Sequence, residues 1–328
     1  MGFALGMRFN GGWEARGSIG YGMSDHRVTA SLGAGLTRGA NYWSVEARRT
    51  IRDIGDEPVV SGVVNSFLSQ ESGIDLGSYL LGEEVGLGYR RRVAPRWTLD
   101  LATRFERTTS VETTAHPVRR DYQPNPELGS GSYWLARTAL TFGSRGALDR
   151  SDLKASLGLE GGVGESSYAR LTFRSDGSLP LGGAGHLRLR TLVGLATAGL
   201  PKSRSFTIGG RGTLPAERFR GYGGRRVAAM LLEWRIPVPA PAIGLGPFAN
   251  TGNRATLVPL FGVGWAGGPI DGLPWGSSEG ARPVAGIAAE LIHGLVRFEF
   301  ARPLRNVAGE GAKFRLTVDI SPEWWPIL

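Results

Sequence analysis

One pattern constrains this chain more than any other: apolar and polar residues alternate, position by position, over segment after segment. Leu153, Ala155, Leu157 and Leu159 alternate with Lys154, Ser156, Gly158 and Glu160. Ala169, Leu171 and Phe173 alternate with Arg170, Thr172 and Arg174, and Phe314, Leu316, Val318 and Ile320 with Lys313, Arg315, Thr317 and Asp319. A period of two marks a strand with one apolar and one wet face. About fifteen such segments occur, near 3–9, 13–23, 27–37, 41–52, 83–92, 96–108, 131–143, 151–162, 167–178, 185–197, 225–237, 255–265, 282–291, 294–303 and 312–321. Most have the length that crosses a bilayer at a tilt of ~45°. A soluble sandwich uses strands of about 5–6 residues.

The connections alternate as well. Asn10–Gly12, Arg38–Ala40, Ala94–Arg96 and His293–Gly294 are short, and the links over 53–82, 109–130, 198–224, 266–281 and 304–311 are long. Short turns at one end and long loops at the other are the asymmetry of an outer-membrane barrel. The long 238–254 link and the short Gly161–Ser166 link depart from it. Inside the 53–82 loop, Val59, Val60, Val63, Val64, Phe67 and Leu68 recur at helical spacing behind Pro58. This predicts a short helix within Asp56–Gln70.

In such a barrel the apolar faces meet lipid and the polar faces line the interior. Alternation then sends Arg16, Arg48, Arg90, Arg104, Arg137 and Arg297 inward, with Glu46, Glu84, Glu106, Glu160 and Glu233 among the acids. The net charge of +9 is thereby spread through an interior and not gathered into a stripe. No nucleic-acid partner is expected from it. Trp13, Trp43, Trp97 and Trp134 open strands, as interfacial girdles do. The uncharged windows 236–253 and 255–270 are broken by proline and glycine, so neither reads as a membrane helix. The N-terminus has no pattern of a secretory signal.

Signals for chemistry are weak. Gly262-Val-Gly-Trp-Ala-Gly267 matches a dinucleotide fingerprint, but Gly268, Pro269 and Pro274 stand where its helix should start. The run Gly161–Ser167 lacks the Gly-Lys-Ser/Thr ending of a phosphate loop, the four histidines have no ligand spacing, and there is no cysteine. No catalytic residue, metal ligand or cofactor is assigned, and no enzymatic activity is expected.

One stretch is specific. Gly209-Gly210, then Arg220-Gly221-Tyr222, precede a strand reading Leu232-Glu233-Trp234-Arg235-Ile236-Pro237. Further on come Ala285-Gly286-Ile287-Ala288, Arg297–Leu304 and Phe314–Val318. Over about 200–321 the chain resembles the BamA/TamA-type superfamily of outer-membrane insertases and translocators, the bacterial surface antigen barrels. The resemblance implies that the 198–224 loop folds into the lumen, with Arg220 at its tip, Gly221 permitting the turn and Glu233 as the acid on the inner wall. It departs from the family at Leu260–Gly264, where a second acid is usual, and at its last residues, Trp325–Leu328.

The expected fold is an all-β transmembrane antiparallel β-barrel of the 16-strand type. Counted from the Arg220 loop, its first strand would precede residue 1. The expectation is a single barrel domain over 1–328, without POTRA modules or a passenger in this chain. The resemblance implies insertion, assembly or translocation of proteins at the bacterial outer membrane. The partners would be the lipid bilayer, client or passenger polypeptides, and POTRA modules encoded upstream. Two other roles stay open: a barrel anchoring an N-terminal passenger such as a patatin-like lipase, and a passive porin-like channel.

Overall fold

The computed structural model describes residues 2–22, 25–54, 75–112, 124–143, 152–242, 244, 250–305 and 313–320. The helix expected within Asp56–Gln70 and the C-terminal Trp324 and Trp325 lie outside them. No helix among the described residues is long and apolar enough to cross a membrane, which does not bear on crossing by strands.

The strands are β1 (Gly2–Phe9), β2 (Trp13–Tyr21), β3 (Val28–Arg38), β4 (Asn41–Asp53), β5 (Tyr79–Ala94), β6 (Trp97–Ser110), β7 (Gly131–Gly143), β8 (Asp152–Gly164), β9 (Ser167–Pro180), β10 (His186–Ala196), β11 (Phe206–Ile208), β12 (Tyr222–Gly224), β13 (Arg226–Pro239), β14 (Arg254–Gly267), β15 (Arg282–Leu291), β16 (Val296–Pro303) and β17 (Arg315–Ile320). Fifteen of them form one sheet in chain order, β10 pairing directly with β13. Every pairing in it is antiparallel. β1 and β17 are its two edges, and the sheet is open along that seam. β11 and β12 form a separate small hairpin. Alternation locates all fifteen wall strands. It misses this hairpin, whose strands are too short to show a period, and it starts β5 four residues late.

The two faces differ as alternation requires. Phe3, Leu32, Val45, Leu87, Leu159 and Leu316 are all exposed on one face. A soluble monomer rarely shows so continuous an apolar surface, whereas a bilayer covers it. Trp13, Trp43 and Trp97 stand exposed at the short-turn end of that face. Trp43 packs on Tyr89 with ring centres 4.3 Å apart, and Trp97 on Phe142 at 5.0 Å. The other face is polar, and the sheet curls around it. One loop, between β10 and β13, reaches side chains of β4, β6, β8, β15 and β17.

Candidate functional site

That loop is the candidate site. It leaves β10, makes a single 3-10 turn over Lys202–Arg204, forms β11 and returns through β12 into β13. The tip between the two short strands turns back on itself. The N–H of Gly209 donates to the Thr213 hydroxyl at 2.9 Å, and that of Gly210 to the Leu214 carbonyl at 3.0 Å. Gly209 has φ of +122°, and a Cβ there would lie 2.1 Å from the Arg218 carbonyl oxygen. No larger residue lets the two limbs of the tip approach so closely.

Arg220 is the residue in the left-handed region, at φ +49°. Gly221, expected to permit the turn, follows it and closes it, its N–H donating to the Arg218 carbonyl at 3.0 Å. The φ of Gly221 is not positive, and it serves a close approach, since a Cβ there would meet the Arg218 carbonyl at 3.1 Å. A non-glycine residue held left-handed costs about 1–2 kcal/mol. The Arg220 guanidinium offsets that cost with two parallel hydrogen bonds to the Asp53 carboxylate, at 2.6 and 2.5 Å. It is almost fully buried and lies over the Phe219 ring, 4.9 Å from its centre.

The partner of Arg220 is therefore Asp53, at the end of β4, and not Glu233. Glu233 does face inward and is fully buried, but it accepts from Arg297 at 2.6 Å and faces Arg190 at 3.3 Å. Arg297 also donates to Glu290 at 2.9 Å and to Glu299 at 2.6 Å. Glu233 thus sits between two guanidiniums of the wall itself, while Arg220 turns to Asp53. The wall surface on which the loop's apolar side chains rest includes Leu231, Leu260 and Val284, all buried. A guanidinium pressed onto that surface would be desolvated without compensation. Asp53 escapes sequence reasoning because alternation gives it the parity of the outward Trp43 and Val45. At the strand end the rule lapses, and its carboxylate also accepts the Ser78 N–H at 3.0 Å.

The rest of the loop is fastened on both sides. Toward β13–β15, Phe206, Ile208 and Leu214 are fully buried against Val227, Leu231, Val258, Leu260 and Val284. Each such side chain contributes about 1.5–3 kcal/mol relative to exposure. Missing side chains in the wall make room for them. A Cβ on Gly194 would lie 2.4 Å from the Phe206 ring, and one on Gly264 would lie 3.1 Å from both Ile208 and Leu214. The Tyr222 hydroxyl donates to Glu217 at 3.0 Å, and Arg282 of β15 donates to both Glu217 (at 3.1 Å) and Tyr222. Arg211 pairs with Asp319 of β17.

Toward the opposite wall the ties are ionic. Arg204 reaches Glu106 of β6 at 2.6 Å and Glu160 of β8 at 3.6 Å. Burial pulls the pKa of Arg204 down, but Glu160 and Glu106 outweigh it and raise it, so Arg204 stays charged. Glu106 is shared with Arg52 of β4 at 2.8 Å. Arg204, Arg211, Glu217, Arg282 and Asp53 were not singled out from sequence. Their positions along the chain carry no period, and only the folded loop brings them to their partners.

Beneath the loop lies a polar cavity of about 1180 Å³, lined by nine cationic and five anionic side chains. Among the described residues no three His, Asp or Glu side chains gather as a metal site would require. The arrangement offers ionic pairing and apolar packing.

No family model and no curated protein matches this sequence. Solved structures do match in fold. BamA from Haemophilus ducreyi lacking POTRA domains 1–3 aligns with a TM-score of 0.57 at 13% identity, over 97% of this chain and 69% of that one. CdiB from Acinetobacter baumannii aligns with a TM-score of 0.52 at 12% identity, over 94% of this chain and 53% of that one. The chain thus spans about half the length of CdiB. At these identities the likeness is one of fold, and the fold is that of a BamA-type barrel.

Proposed function

We propose that this chain is a bacterial outer-membrane barrel that assists the insertion or passage of polypeptides, with the 197–225 loop as a releasable brace across its interior. The observation that carries the reading is the loop's unequal fastening. Its hold on β13–β17 combines apolar packing, which water cannot replace, with the Arg282–Glu217 and Arg211–Asp319 pairs beside it. Its hold on β4, β6 and β8 is ionic, and a carboxylate can exchange one guanidinium for water or for another cation. A loop released from Asp53, Glu106 and Glu160 would swing on its apolar side and open the interior while staying attached. The bilayer and client polypeptides are the proposed partners. The reading invokes no cofactor and no covalent chemistry.

The test uses the purified chain in planar bilayers and in liposomes. Removing a charge-assisted pair forfeits about 1.5–3 kcal/mol, so Arg220→Ala is expected to raise the fraction of time spent in large conducting states about tenfold or more. Liposomes carrying the chain are expected to speed the folding of an unfolded outer-membrane client. Large open-channel steps that Arg220→Ala leaves unchanged would overturn the brace. Client folding no faster than in empty liposomes would overturn the insertion role.

A further inference from the structure

The interior wall is unevenly charged. On β2–β6 the inward arginines are matched: Arg16 by Glu46, Arg48 and Arg104 by Glu84, and Arg90 by Asp100. On β7–β10 the two central inward acids are already engaged. Asp176 accepts two bonds from Arg188, at 2.9 and 2.6 Å. Glu160 accepts the Tyr168 hydroxyl at 2.9 Å and faces Arg204. Arg137 on β7 and Lys154 on β8 have no carboxylate partner among the described residues, and both line the cavity exposed to its water.

The backbone leaves a hollow between these two cations. Gly158 lies between their levels on β8, and a Cβ there would meet only backbone oxygens, at 3.9 and 4.0 Å. Ser156, next along the same face, stands opposite Thr141 of β7 and Arg174 of β9. Thr141, Ser156, Thr172 and Arg174 all line the cavity. Arg137 lies at the level of Glu160 and Arg174 at that of Ser156. At the rise of a strand this separates Arg137 from Arg174 by about 13 Å of backbone and from Lys154 by about 20 Å. Long cationic side chains above and below, with hydroxyl donors between, suit a ligand that is itself extended and anionic. Guanidinium forks match phosphate oxygens in geometry as well as charge.

We propose that the β7–β9 wall beneath the loop is a binding site for an elongated polyvalent oxyanion of the phosphate class. The site is independent of whether the barrel passes polypeptides. Its test is titration calorimetry of the full chain in detergent with inorganic tripolyphosphate, at fixed ionic strength. Saturable binding at one site per chain is expected. The double variant Arg137→Gln/Lys154→Gln is expected to weaken it at least about tenfold, and Ser156→Glu, which puts a like charge on the floor of the hollow, by a similar factor. Arg90→Gln, three strands away on β5 and already paired with Asp100, should change affinity less than about twofold. Heat-modifiable migration checks that each variant is folded, and if the double variant is not, Ser156→Glu decides. No saturable binding would overturn the proposal. So would an equal loss in Arg90→Gln, since a diffuse interior field and not this wall would then hold the anion.

Discussion

The β13–β17 wall and the β2–β5 wall are built on the same alternation, with arginines and glutamates on the inward face of both, and their environments are opposite. On β13–β17 the Arg297–Glu233 pair is 4% and 0% exposed. On β2–β4 the Arg16–Glu46 pair is 58% and 34% exposed. The loop makes this difference. It lies over the first wall and displaces water from it, while the second faces the open cavity. An ion pair's weight is thus set by what covers it. Breaking a buried pair by removing one partner costs about 3–5 kcal/mol, because the other charge stays stranded. An exposed pair contributes at most about 1 kcal/mol.

The largest expected effect separates the two walls directly. Glu233→Ala, which leaves Arg297 to Glu290 and Glu299 but takes from Arg190 its carboxylate partner, should lower stability in urea by about 3–5 kcal/mol, and Glu46→Ala by less than about 1 kcal/mol. Equal losses would break the comparison. Next comes the packing of the loop on its wall. Gly194→Val places atoms where the Phe206 ring stands. Overpacking of this kind costs about 1–3 kcal/mol, and limited proteolysis should then cut within 203–221 sooner than in the parent chain. Protection equal to the parent's would mean that the loop does not rest on β10.

The smallest effect sharpens the assignment of Arg220. In double-mutant cycles, Arg220→Ala and Asp53→Ala should show a coupling of about 0.5–3 kcal/mol, while Arg220→Ala and Glu233→Ala should add within about 0.5 kcal/mol. Strong coupling of Arg220 to Glu233 would restore the pairing that the family resemblance implies.

Legibility follows the same division. The wall was readable strand by strand, since each strand repeats one choice of lipid or interior every two residues. The inward position of Glu233 was readable for that reason, and so was the unusual loop carrying Gly209, Gly210 and Arg220. Gly194 and Gly264 are also explained, since they leave room for Phe206, Ile208 and Leu214. The partner of Arg220 was not readable. Asp53 is 167 residues away in the chain, at a strand end where parity no longer decides direction. The β11–β12 hairpin was hidden as well, because three residues cannot display a period.

By itself, then, the sequence determined the number, order and facing of the wall strands, because alternation is a local property that a membrane and a wet interior both enforce. Only the tertiary structure decided which charges meet. Pairing depends on how the sheet curls and on where one loop comes to rest. Those are set by apolar contacts between segments far apart in the chain, and a carboxylate binds whichever guanidinium that packing leaves beside it.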